Sequence, residues 1–355
     1  MRTSQRSKKS FEASDSLCRG AISRTVGALE SNPDAEWVLG FSGGKDSTAL
    51  LKIFCAAISH ARKLPEKINV IYCDTGVENP LLDKYVKALF DRLGQEAVAN
   101  ELPLRLHVLT APVSQRFFVK IVGRGYPPPT NSFRWCTKSL RIQPVARFIA
   151  EAAKRNAIVS LGLRQSESAQ RDRSLLQNGG GIWQDQVEGG RKYKLFLPIL
   201  DLSVPDVWEV IYLFDRPRSI DVNELASLYR GASGECPMVK SPNAPPCATG
   251  RFGCWTCTVV RKDKSAQSLI DSGYSELQPF LEFRNWLSDI RNDPQRRWSV
   301  RRRGTRGLGP FTLEARAEIL RAIRRLEVET GTCLVSREES EEIARLWLKD
   351  VPFSG

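Results

Sequence analysis

Four cysteines, Cys236, Cys247, Cys254 and Cys257, stand as C-x10-C-x6-C-x2-C in a stretch with four prolines and few helix formers. Two residues between Cys254 and Cys257 allow a tight turn with both sulfurs on one side, the grip needed for one metal centre. Tetrathiolate zinc and a [4Fe–4S] cluster use the same ligands, so the spacing leaves both open. The plain alternative is four small buried apolar side chains. A further thiol, Cys136 in Phe133-Arg134-Trp135-Cys136-Thr137, stands apart in sequence and can join three of the four.

A second grouping, Ser42-Gly43-Gly44-Lys45-Asp46-Ser47-Thr48, follows an apolar run, Glu36 to Phe41, and opens a segment of helical spacing. Glycines let the backbone approach an anion, successive N–H groups converge on it, and a helix N-terminus adds positive potential. The alternative is a tight strand-to-helix turn with no ligand. The segment is not the G-x-x-x-x-G-K-[ST] phosphate loop: Gly40 is one residue too close to Gly44-Lys45, and Asp46 stands where a hydroxyl would hold magnesium. Asp46 and Asp74, in Cys73-Asp74-Thr75-Gly76, are candidate magnesium or ribose contacts; Asp74 serves equally as a strand-end cap. Neither histidine, His60 at a helix end nor His107 in a strand, is placed as a general base.

These groups need a scaffold, and the pattern supplies one. Runs beginning at Glu36, Ile68, Arg105 and Ala157 read as strands, with helices opening at Lys45, Pro80 and Lys138. Such alternation predicts an α/β fold with a doubly wound, mainly parallel sheet. The expected domains are an N-terminal arm or covering helix over 1–33, with Leu17, Ile22, Val26 and Leu29 in helical spacing, a nucleotide domain over 34–230, a cysteine-rich segment over 231–265 and a helical basic region over 266–355. Ser203 with Asp206 and Ser336 with Glu339 read as capping boxes. The stretch SLLQNGGGIWQDQVEGG reads as a loop.

The 355 residues are enough to bury a substantial core. No apolar run is long enough to span a bilayer, and the basic, polar start is no secretion signal, so a cytoplasmic protein without a membrane partner is expected. Crowded cysteines in such a chain point to metal or redox chemistry rather than disulfides. With 53 Lys plus Arg against 40 Asp plus Glu, the formal charge is +13, which suits a polyanionic partner. Arg296, Arg297, Arg301, Arg302, Arg303 and Arg306 around Trp298 form either a DNA-gripping loop or a solvated face.

The SGGKDS segment resembles the SGGxDS loop of the ATP pyrophosphatase superfamily. Together with CDTGVENP, GRGYPPPTNSFRWCTKSLRIQP, LGLRQSESAQR, GECP, RFGCWTCTVV and KDKS, the stretch from Trp37 to Ser265 is similar to DNA phosphorothioation sulfurtransferases of the DndC/SspD-like kind, in the PAPS-reductase-like branch. That resemblance implies an adenine nucleotide alpha-hydrolase-like fold, cleavage of ATP to AMP and pyrophosphate with Mg²⁺, and a [4Fe–4S] cluster, zinc being the alternative. It also implies DNA as partner, with sulfur from a cysteine desulfurase and further proteins of a phosphorothioation system. Carried onto this chain, Ser42, Gly43, Gly44, Lys45, Asp46, Ser47, Thr48, Asp74, Arg164 and Arg171 would bind nucleotide, with Lys45, Asp46 and Arg164 catalytic. Cys136, Cys247, Cys254 and Cys257 would hold the cluster, Cys236 competing with Cys247. Glu167 would orient Arg164 or Arg171 or bind metal, and Arg134 would serve nucleotide or cluster. The rivals are a sulfonucleotide (PAPS or APS) reductase, whose E-C-G-[LI]-H segment has no counterpart around Cys333, a tRNA thiolase, and a non-enzymatic protein that binds ATP and DNA.

Overall fold

The glycine turn follows the strand Glu36–Phe41 (β1) and runs into the helix Lys45–His60 (α2). This pair sits at the centre of the fold. The computed structural model describes residues 2–165, 180–188, 190–233 and 253–350, with side chains from residue 16 onward except those of 188 and 233. Two compact units emerge: Met1–Cys73 with Leu81–Leu109 and Val145–Arg251, and Asp74–Pro80 with Thr110–Pro144 and Phe252–Gly355.

The first unit carries a six-stranded sheet ordered β3-β2-β1-β4-β6-β5. Its other strands are Ile68–Asp74 (β2), Leu104–Thr110 (β3), Ala157–Ser160 (β4), Trp183–Glu188 (β5) and Arg191–Phe196 (β6). β1 lies parallel to β2, with Trp37 opposite Ile68, and parallel to β4, with Glu36 opposite Ala157. β4 and β6 are parallel as well, so the expected mainly parallel α/β sheet is present. Trp37, Val38, Leu39, Val70 and Val159 are buried, as a sheet covered on both faces requires.

β5 departs from the sequence reading, which left it in a loop. It pairs antiparallel to β6, Trp183 opposite Phe196. Its residues, WQDQVE, are mostly polar because an edge strand buries only part of one face, and Gln184 alone among the described side chains of β5 is buried. The N-terminal segment forms the helix Arg2–Ser31 (α1), packed on α2 and on Val204–Leu213 (α5). Its buried side is Cys18, Ala21, Thr25, Ala28 and Leu29. Small side chains let the helix approach closely; of the expected stripe Leu29 is buried, Ile22 and Val26 are half-buried and Leu17 is exposed.

Helices Pro80–Ala99 (α3) and Gln143–Ala152 (α4) complete the crossovers, and Val222–Ser233 (α6) follows α5. α5 starts at the capping box expected there: Asp206 N–H donates to Ser203 Oγ and Ser203 N–H to Asp206 Oδ2.

The second unit builds its own core from Phe118, Ile121, Trp135, Trp255, Phe283, Phe311 and Ile319, among others. Helices Lys264–Asp271 (α7), Gln278–Asp289 (α8), Leu313–Thr330 (α9) and Arg337–Asp350 (α10) make up its C-terminal region. The Ser336 and Glu339 box caps α10, again as expected. No helix among the described residues is long and apolar enough to cross a membrane.

Candidate active site

In the first unit, the turn after β1 needs its glycines for two reasons. Gly43 has φ +75°, and a Cβ there would lie 2.2 Å from Val86 Cγ2. At Gly162, just past β4, a Cβ would lie 2.8 Å from the Asp46 carbonyl oxygen, so the chain after β4 presses against the start of α2. The hydroxyls finish the turn: Ser47 Oγ accepts from Ser42 N–H at 3.1 Å and donates to Gly44 C=O at 2.9 Å. Gly44 is the N-cap of α2 and has no side chain to cap with, which leaves the helix start to other partners.

Three charges meet there. Asp46 Oδ1 accepts from Arg164 Nε at 2.5 Å and Asp46 Oδ2 from Lys45 Nζ at 3.0 Å. Arg164 is 5% exposed. Burial pushes the Asp46 carboxyl up, but Lys45 and Arg164 outweigh it and hold the group below its usual range. Tyr229, on α6, accepts from Lys45 N–H at 3.0 Å, and the Lys45 ammonium lies 5.6 Å from its ring centre. Thr48 is fully buried and its hydroxyl has no hydrogen-bond partner.

A Mg²⁺ site does not follow from these residues. Both Asp46 oxygens are taken by cations, and Asp74 Oδ1 accepts from Gly76 N–H at 2.7 Å, the strand-end cap. Among the described residues no group of three or more His, Cys, Asp or Glu side chains is placed to hold a metal ion. Arg171 and Glu167 lie outside the described residues. His60 and His107 are engaged structurally, Nδ1 of His60 with Ala56 C=O and Nε2 of His107 with Asn69 Oδ1.

The second unit holds Cys136, Cys254 and Cys257; Cys236 and Cys247 lie outside the described residues. Cys257 N–H donates to Cys254 C=O at 3.0 Å, closing the turn that the C-x2-C spacing suggested. Glu78 and Cys254 form a β-bridge, and Trp255 N–H donates to Val77 C=O, so this turn is stitched to the segment after β2. Beside Cys254 Sγ stand Thr75 Oγ1 at 3.7 Å and Arg141 Nη2 at 3.8 Å. Arg141, on a π-helical turn Thr137–Ile142, also donates to Glu78 at 2.9 and 3.1 Å.

Burial, with the Glu78 charge, pushes the Cys254 thiol up to about 12, and burial raises Cys136 too. A bound cation reverses such a shift, because it favours thiolate directly. Cys257 is felt electrostatically by both Cys136 and Cys254. Cys136, Cys254 and Cys257 are the donor type that a metal or cluster takes, but among the described residues they form no group placed to hold a metal ion.

A buried and a half-buried arginine support the cysteine turn. Arg284, on α8 and 1% exposed, donates to the carbonyls of Cys257, Val260 and Arg261. Arg291 donates to the carbonyls of Thr258 and Pro129, and Thr258 Oγ1 also bonds Pro129 C=O. The basic run is divided: Arg296 pairs with Asp293 and Glu318, and Arg297 is buried on backbone carbonyls, whereas Arg301, Arg303 and Arg306 are exposed. Arg134 bonds Asn131 Oδ1.

Tyr229, Arg141, Thr75, Glu78 and Arg284 were not singled out by the sequence. Thr75 and Glu78 stand in CDTGVENP and Arg141 in RWCTKSLRIQP, so those motifs held the signal; Tyr229 and Arg284 had none.

Several known proteins share features with this chain. An uncharacterised protein of Methanocaldococcus jannaschii, MJ0066, is 28% identical over 176 residues, 50% of this chain and 31% of that protein, so the match spans under a third of its relative. A Candida auris phosphoadenylyl-sulfate reductase in a phosphate complex aligns at TM-score 0.33 and 14% identity, covering 55% of this chain and 78% of that one. The U34-tRNA thiolase NcsA of Methanococcus maripaludis, with its [4Fe–4S] cluster, aligns at 0.37 and 12%, covering 78% and 80%. Candida glabrata FMN adenylyltransferase with FMN and an ATP analogue gives 0.38 and 13%, covering 68% and 73%. Residues 36–260 match the phosphoadenosine phosphosulfate reductase domain. That span runs from β1 and its glycine turn through Cys257 and includes more than half of the chain, which therefore belongs to the phosphoadenosine phosphosulfate reductase domain family.

Proposed function

We propose that this chain is an ATP pyrophosphatase acting in sulfur transfer to DNA, joining AMP to a backbone phosphate oxygen and releasing pyrophosphate. The observation that carries the reading is the arrangement at the start of α2, where Lys45 and Arg164 are both held by Asp46 beside a glycine turn. Two cations parked on one carboxylate keep their positions without a ligand. A triphosphate brings its own negative charge, so both cations can transfer contacts to it with little reorganisation. The turn's N–H groups and the start of α2 add favourable potential for departing pyrophosphate.

Activation of this kind is needed because a phosphate oxygen is a poor leaving group. Once it carries AMP, a sulfur nucleophile at the level of hydrosulfide displaces AMP, which leaves with that oxygen. Cys136, Cys254 and Cys257, with Cys247 or Cys236, would hold a [4Fe–4S] cluster or zinc, which would supply a site for sulfur or for structure. Arg141 and Thr75 would orient the Cys254 sulfur. DNA as substrate is supported by the +13 formal charge and the exposed Arg301, Arg303 and Arg306. Sulfur would come from a cysteine desulfurase as a persulfide, from which attack by a second thiol would release hydrosulfide and leave a disulfide.

A second reading, a sulfonucleotide reductase, is favoured by the family description itself. Anaerobically purified protein incubated with Mg²⁺ and labelled ATP, with and without DNA, separates them. AMP with pyrophosphate, stimulated by DNA, supports the proposal. ADP, or no cleavage, together with sulfite released from PAPS and a thiol, supports the reductase. Cys254→Ser is expected to lose iron and acid-labile sulfide, and full retention of both would remove Cys254 from the ligand set.

A further inference from the structure

The first unit has a cavity of about 460 Å³ at the C-terminal end of α3, lined among others by Arg92, Glu96, Arg216, Arg218 and Ser219. In a parallel crossover a helix starts at the edge where its strand ends and finishes at the opposite edge. The cavity therefore lies at the edge of the sheet away from the glycine turn, and the proposed ATP site does not use it.

Its chemistry is one-sided. Both Glu96 oxygens are occupied, accepting from the backbone N–H groups of Arg218 at 2.8 Å and Ser219 at 2.7 Å. That carboxylate acts as a peg that sets the loop. Arg92 Nε donates to Ser219 C=O at 3.1 Å and fixes the loop from the other side, its Nη2 only 3.9 Å from Glu224. Arg216 and Arg218 make no ion pair among the described residues. Ser219 is 8% exposed, and its hydroxyl is closed off from solvent.

Three guanidinium groups lining one cavity match an oxyanion with several acceptor oxygens. A carboxylate would satisfy one fork, whereas a phosphate can satisfy two or three. We propose that this cavity is a second anion site of the first unit, which takes the phosphate group of a nucleotide or of a nucleic-acid strand. The volume is within the range of small-ligand sites, and its opening to solvent leaves room for a strand to continue.

The test reads these arginines directly. Full-length protein is treated with phenylglyoxal alone, with inorganic phosphate, with AMP, or with a ten-nucleotide single-stranded DNA, and the modification of Arg216 and Arg218 is followed by peptide mass spectrometry. At about ten times the dissociation constant, bound phosphate is expected to slow both arginines about tenfold while the exposed Arg337 keeps its rate. Protection by phosphate or AMP identifies a free-nucleotide site, and protection by the oligonucleotide alone identifies a strand site. Arg218→Gln is expected to raise the half-protecting concentration read at Arg216 about tenfold, the equivalent of about 1.4 kcal/mol for one hydrogen bond to a charged group. Unchanged rates at Arg216 and Arg218 with every ligand, or equal slowing at Arg337, overturn the proposal.

Discussion

Replacing Gly43 by alanine tests the geometry of the glycine turn most directly. Its φ of +75° costs a non-glycine residue about 1–2 kcal/mol. The new Cβ would also stand 2.2 Å from Val86 Cγ2 and 3.3 Å from Leu82 Cδ1, inside a wall where Val86 is fully buried. Relieving that overlap by shifting packed side chains costs about 1–3 kcal/mol more. Gly43→Ala is thus expected to destabilise the first unit by about 2–5 kcal/mol. The two causes can be separated with Val86→Ala, which leaves only Val86 Cβ, 3.7 Å from the added atom. Val86→Ala alone should cost about 2 kcal/mol, from lost methyl burial and a small cavity. In the double variant the overlap with Val86 is gone, while the 3.3 Å approach to Leu82 and the backbone cost remain, so it should be about 1–3 kcal/mol more stable than the sum of the singles. Amide hydrogen exchange at Val38 and Leu39 in β1 reports the opening free energy of this unit without assuming that the whole chain unfolds in one step. A Gly43→Ala loss below about 1 kcal/mol would refute the turn conformation. Additivity within about 0.5 kcal/mol would refute the steric part.

Three other outcomes follow from the sites. Asp46, held below the usual carboxylate range by Lys45 and Arg164 against the opposing effect of burial, contributes stability that is present above its unfolded pKa near 3.8 and is lost as pH falls through the folded value. Asp46→Asn should therefore cost about 2–3 kcal/mol at pH 7, somewhat below a fully buried pair, and the gap between variant and parent urea midpoints should close at acid pH; a pH-independent gap would contradict the assignment. Arg284→Met, which removes the donors to the carbonyls of Cys257, Val260 and Arg261, should weaken retention of the proposed metal or cluster about 10–100-fold in a chelator challenge, with Arg284→Lys intermediate; equal retention in all three proteins would mean that the turn holds without it. Thr48→Val should leave stability unchanged or raise it by up to about 1 kcal/mol, because its hydroxyl is buried and unpaired; a loss above about 1 kcal/mol in urea unfolding would show that the hydroxyl has a partner.

What the sequence determined by itself was everything that a short window encodes. The glycines, the hydroxyls of Ser42 and Ser47 and the strand before them specify a turn within six residues, and its hydrogen bonds close inside that window. The capping boxes at Ser203 and Ser336 are similarly local, and so is the Cys254–Cys257 turn. The alternation of strand and helix was readable because strands buried on both faces are apolar throughout. β5 escaped that reading because an edge strand carries polar residues on its solvent side. Tertiary structure alone decided which distant residues meet. Tyr229 reaches Lys45 across 184 residues, Arg164 reaches Asp46 across 118, and Arg141 reaches Glu78 across 63. It also decided that Arg297 and Arg284 are buried on carbonyls, although in sequence they resemble any surface arginine. A turn or a cap depends on dihedral preferences and hydrogen bonds between near neighbours, which residue types specify directly. A long-range ion pair depends on where packing brings two backbones together, and that is a property of the whole core.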